Sequence, residues 1–146
     1  MRFEFGDVDG VTRPLLDFRL FDDHTGVVTL GLVDTGSTHT VLPASFLTAF
    51  ADTAPQRHIS ALAIGGYTDM DVPEFNVTLE VVGPREDEIL RIDAPIFVTR
   101  CELPFAIIGA SVLRYLVVVV RTYDGVLHVH PRNAFECSAH AQDALF

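Results

Sequence analysis

Apolar and polar positions alternate with period two in several stretches, the spacing that turns one face of a β-strand to a core and the other to water. Leu15-Leu16-Asp17-Phe18-Arg19-Leu20 predicts a half-buried strand. Residues 27–33 predict the next, with the turn cluster Asp22-Asp23-His24-Thr25-Gly26 between them. Residues 58–64 and 72–82 predict strands on either side of Gly65-Gly66, the second of them long, with Pro73 near its start. After the charged turn 83–88, residues 89–92, 94–98 and 105–108 predict further strands. The β-branched run Val117-Val118-Val119-Val120 predicts a buried strand, and the Asp124-Gly125 turn returns it into residues 126–131. Helical spacing is confined to residues 43–50, with Pro43 at a first helical position, to a short stretch after Gly109 and to residues 139–145 of the tail. The stretch after Gly109 places Val112, Leu113 and Leu116 on one face. The pattern predicts an all-β fold with one or two short helices.

At 146 residues the chain is expected to be one domain, its core over about 13–131 and a tail over 132–146. Twenty acidic against ten basic side chains leave a net charge of -10, which argues against nucleic acid as a partner. The acidic start, Arg2-Phe3-Glu4-Phe5-Gly6-Asp7, has no apolar run of the kind a secretion signal needs. The most apolar window, residues 105–120, is interrupted by Arg114 and is too short for a membrane span. A soluble, cytoplasmic protein with no membrane partner is expected. Cys101 and Cys137 are then expected as two reduced thiols, with a disulfide between them as the alternative.

One stretch breaks the structural pattern. The strand of residues 27–33 runs into Asp34-Thr35-Gly36-Ser37 and leaves through Val41-Leu42. A carboxylate at the end of a buried strand is costly unless it is hydrogen-bonded or shares a proton. Gly36 allows a sharp turn and a backbone N–H aimed at that carboxylate, while Thr35 and Ser37 set hydroxyls beside it. The plain alternative is a strand-to-loop Asx turn with a solvated Asp34. A serine hydrolase through Ser37 and His39 is a poor reading, because side chains two apart on a loop rarely reach nucleophile-to-base geometry.

Apolar-Asp-Thr-Gly-Ser resembles the signature of the aspartic proteases, which pepsins and retroviral proteases share. Two further stretches are similar to that family in the same order. Ile64-Gly65-Gly66, followed by Tyr67, resembles the flap of retroviral proteases, and Ile107-Ile108-Gly109 with its following helix resembles the second motif, whose strand supports the catalytic loop. Arg13-Pro14-Leu15-Leu16 is weakly similar to a retroviral protease start, whereas residues 107–129 look more like the end of a pepsin lobe. Ser37 is also closer to pepsin, since retroviral enzymes usually carry Ala there.

The resemblance implies a closed retropepsin-like β-barrel. It makes Asp34 the catalytic residue, supported by Thr35, Gly36, Ser37, Ile108 and Gly109. Ile64, Gly65, Gly66 and Tyr67 would form the flap over an extended peptide or protein substrate. Pepsins hold two Asp-bearing loops in one chain and this chain holds one, so the resemblance implies a homodimer with Asp34 of each copy at the two-fold axis. It implies no cofactor and no metal. His128 and His130 share a strand face, for which a solvated surface is favoured over a metal pair in the absence of a third ligand. The alternative from another class is a catalytically silent dimerisation or peptide-binding module on the same fold.

Overall fold

The computed structural model describes residues 1–21, 28–64, 66–85 and 87–133. The expected turn at 22–26, Gly65, Cys137 and the expected helix at 139–145 lie outside the described residues.

Short strands open the chain: β1 (Arg2–Glu4), β2 (Gly6–Val8) and β3 (Val11–Arg13). Then follow β4 (Leu15–Phe21), β5 (Thr29–Val33), β6 (Thr40–Leu42) and a 3-10 helix (Ala44–Phe50). The second half holds β7 (Arg57–Ile64), β8 (Tyr67–Val82), β9 (Ile89–Val98), β10 (Ala106–Ile108), α1 (Ala110–Leu113), β11 (Leu116–Arg121) and β12 (Val126–Pro131). The main sheet runs β4-β5-β10-β6-β9-β8-β7, and β8 also pairs with β4. That extra pairing closes six of the seven strands into a barrel, so the all-β barrel expected from the sequence is present.

Alternation fills the barrel. On β9, Ile92, Ala94 and Ile96 point inward while Arg91 and Asp93 face out, and the inward set meets Phe18, Leu79 and Ile108, each 1% exposed. Burying a side chain of this size stabilises the fold by about 1.5–3 kcal/mol before entropy is counted. Residues 89–92 and 94–98 are one strand, not two. Asp93 does not break it, because its carboxylate faces outward and accepts from the Thr78 hydroxyl on β8.

Three other expectations need correction. Pro43 stands just before its helix with extended backbone (φ -67°, ψ 166°), and that helix is 3-10. The helix after Gly109 is a single turn, and Leu116 already opens β11. The valine run is not buried: Val117, Val118 and Val119 are half-buried and Val120 is 40% exposed. β11 is the outer strand of a separate three-stranded sheet, β1-β12-β11, so among the described residues it has partners on one side only.

Glu80 lies on β8 opposite Arg19 of β4 and Arg91 of β9, and it is fully buried beneath them. Arg91 Nε donates to its Oε1 at 2.8 Å and Arg19 Nε donates to Oε2. Burial alone would raise the carboxyl, but the hydrogen bonds from Arg91 and Arg19 outweigh it and hold Glu80 below its ordinary 4.5. A depressed folded value contributes stability that is present above the unfolded value and is lost as pH falls through the folded one. Glu80→Gln is therefore expected to cost about 2 kcal/mol at pH 7 and to flatten the acid limb of stability against pH. Urea titrations across a pH series check both; an unchanged acid limb would contradict the assignment.

Candidate active site

Asp34 follows the last residue of β5. On one side β5 pairs antiparallel with β4, and on the other it pairs parallel with β10, with Val33 opposite Ile108. The Asp34 N–H donates to the Ile108 carbonyl at 3.1 Å, which carries the β10 support one residue past the strand. The Gly36 N–H donates to Asp34 Oδ1 at 2.9 Å, and the Ser37 N–H to the Asp34 carbonyl at 3.2 Å. Asp34 is half-buried while Thr35 and Gly36 are exposed, so the tip of the loop faces outward. Taken alone, the Oδ1 contact is an Asx turn that a solvated aspartate also adopts. What lies behind the loop distinguishes it.

Gly109 sits against the back of the loop. A Cβ there would lie 2.2 Å from the His39 carbonyl oxygen and 2.8 Å from that of Ser37, so this contact admits no side chain. Beyond it the first amides of α1 point at the loop: Ala110 N–H donates to the Ser37 carbonyl at 2.9 Å, and Ser111 N–H to that of Thr38 at 3.2 Å. Two buried hydroxyls complete the brace. Thr40 N–H donates to Ser111 Oγ at 2.9 Å, and Gly109 N–H donates to Thr40 Oγ1 at 3.1 Å. Asp34, Thr35, Gly36 and Ser37 thus come together with Ile108 and Gly109. Thr40 and Ser111 were missed. Ser111 carries a signal, a hydroxyl inside the otherwise apolar run 105–113, whereas Thr40 follows Ser37-Thr38-His39 and carries none; they are 5% and 0% exposed.

Ser37 and His39 do not form a nucleophile and base. Ser37 Oγ donates to the His39 backbone carbonyl at 2.8 Å, and the His39 ring stands edge-on to Phe97 at 4.7 Å.

Strands β7 and β8 form the expected hairpin, with Ile64 opposite Tyr67 at its turn end. Gly66 adopts φ +89°, the left-handed region such turns require, with open space around it. Ile64 is 4% exposed and packs with Val41, Leu62, Val72 and Phe97, a cluster flanked by Ile59, Leu103 and Ile107. That cluster joins the hairpin to β6, which leaves the Asp34 loop, and to β10, which lies between β5 and β6. Arg57 grips Glu74 at the far end of the hairpin with two hydrogen bonds of 2.9 and 2.8 Å.

His128 and His130 are half-buried on one face of β12. Burial, then the N-terminal ammonium and His128, push the His130 imidazole below its ordinary value. Among the described residues no three His, Cys, Asp or Glu side chains gather as a metal site, and no helix is long and apolar enough to cross a membrane.

In comparisons with known proteins, no family model and no curated protein matches the chain.

Proposed function

We propose that the chain is an aspartic endopeptidase that acts as a homodimer. The observation that carries this reading is the Asp34 loop. Its carboxylate follows a barrel strand and accepts the Gly36 N–H, and the loop backbone is backed by β10, Gly109 and α1. A solvated surface aspartate needs no such support, whereas a reacting carboxylate must be held in place. The chemistry requires two carboxylates about 3 Å apart that share one proton, because like charges at that distance do not both ionise. With a single Asp34 per chain, the second carboxylate comes from a second copy. One Asp34 takes a proton from a water that attacks the peptide carbonyl. The protonated Asp34 polarises that carbonyl and later passes its proton to the leaving nitrogen. Thr35, exposed at the loop tip, meets the partner loop, and the hairpin closes over an extended, strand-like peptide.

The test is cleavage of unfolded protein substrates by the purified chain, with new termini read by mass spectrometry and a pepstatin-type mimic of the tetrahedral intermediate as inhibitor. Cleavage that the mimic arrests is expected. Absence of cleavage together with no rise in Tm on adding the mimic would leave a silent module on the same fold.

A lid role for the hairpin makes a separate expectation. Gly66→Val strains a left-handed position by about 1–2 kcal/mol, and the added Cβ meets open space, so Tm falls modestly. Bulk at the turn meets substrate, and kcat/KM is expected to fall at least tenfold. Unchanged kinetics beside the small loss of Tm would make this an ordinary hairpin.

A further inference from the structure

The β7–β8 hairpin is held to the barrel by more than packing. Asp69, opposite Leu62 in the hairpin and 9% exposed, directs its carboxylate at the chain leaving β9. Oδ2 accepts the Thr99 hydroxyl at 2.7 Å and the Arg100 N–H at 2.7 Å, while Oδ1 accepts the Met70 N–H at 2.9 Å. Arg100 adds a bond from Nη1 to the Met70 carbonyl at 3.2 Å. Thr99 is itself fixed. It is fully buried, its N–H donates to the Leu42 carbonyl at 3.0 Å, and its Oγ1 accepts the Cys101 N–H at 3.0 Å. Leu42 ends β6, the strand that leaves the Asp34 loop. A continuous set of bonds therefore links that loop, through β6 and Thr99, to the middle of the hairpin.

We propose that Asp69 is a positioning residue for the lid, clamping the middle of the hairpin to Thr99 and Arg100 so that the hairpin is held in place against the barrel. The inference rests on the peptidase reading for what the lid closes upon, whereas the clamp is a property of the hairpin itself. Each group bonded to the Asp69 carboxylate is a donor: a hydroxyl and two backbone amides. An ionised carboxylate meets all three, while an asparagine would turn an NH2 group toward at least one of them. Arg100 is the charged group facing the carboxylate. Burial raises the Asp69 carboxyl, but the bonds from Arg100, Thr99 and Met70 together with the Arg100 charge outweigh it and keep it below its ordinary 3.8. The clamp thus stays closed in mild acid.

The test uses the full chain as wild type, Asp69→Asn, Thr99→Val and Thr99→Ser, with hydrogen exchange and steady-state kinetics on the same preparations. Hairpin amides of residues 59–64 and 67–72 are expected to exchange at least about tenfold faster in Asp69→Asn and Thr99→Val, with Thr99→Ser close to wild type and β4, β5 and β10 unchanged. KM should rise about tenfold with kcat within a few-fold, since a looser lid weakens capture rather than chemistry. Unchanged hairpin exchange, equal acceleration throughout the barrel, or a loss confined to kcat would overturn the proposal. If Asp69→Asn fails to fold, Thr99→Val against Thr99→Ser decides. A wild type that cleaves no peptide removes the peptidase reading alone, because the exchange data still decide the clamp.

Discussion

Asp34→Asn is expected to leave a folded barrel and to lower peptide hydrolysis at least about 10³-fold, the scale that a positioned acid or base contributes. The amide matches the carboxylate in size, and its oxygen can still accept the Gly36 N–H, so the local turn survives. It has no proton to share and cannot take one from water. The exposed tip of the loop, Thr35 and Gly36, is unaltered, so the oligomeric state should also persist. Calorimetry and sedimentation on the variant report fold and assembly, and kinetics on the same sample report activity. Hydrolysis near the wild-type rate in a pure preparation would place the chemistry elsewhere in the molecule.

Gly109→Ala should be the more damaging change to the fold. The added methyl would sit 2.2 Å from the His39 carbonyl oxygen and 2.6 Å from its carbon, with the Ser37 carbonyl oxygen at 2.8 Å. All three are backbone atoms, so no side chain can swing aside. Either β10 or the loop must move, at a cost of about 3 kcal/mol, the upper end for overpacking. For a domain of this size that lowers Tm by on the order of 10 °C. Activity should fall further than stability requires, since displacing a catalytic group by about 1 Å can cost about 10²-fold. A variant as stable and active as wild type would mean that the loop is not held from behind.

Local periodicity made the strands legible, and the Asp34 loop was legible because Asp-Thr-Gly-Ser after an apolar strand is unusual. Gly109 was found through its place between Ile108 and a helix-like stretch. Partners were harder to read. Val117 to Val120 look like core, yet among the described residues β11 borders its sheet with one side unpaired, and no local spacing reports how many neighbours a strand will have. Asp93 looks like a break because its companion Thr78 sits on another strand. Thr40 finds Ser111 across 71 positions and Asp69 finds Thr99 across 30. Local pattern does not mark such pairs: Thr40 follows Ser37-Thr38-His39, and Asp69 stands between Thr68 and Met70-Asp71. The strands of the first thirteen residues were missed because three residues carry too little period to recognise.

The position of β10 has a bearing on synthesis. It lies between β5 and β6, the two strands that the Asp34 loop joins, and it reaches that place from far along the chain; Gly109 and Thr40 are 69 positions apart. A ribosome that has released the first hundred residues has delivered Asp34 and the whole β7–β8 hairpin, but nothing to insert between β5 and β6. Pairings across such separations form late, because the intervening chain must be ordered before they return any free energy. The Asp34 loop therefore acquires its backing only after α1 has emerged, and on the proposed peptidase reading a nascent chain carries the carboxylate without the geometry to use it on itself or its neighbours.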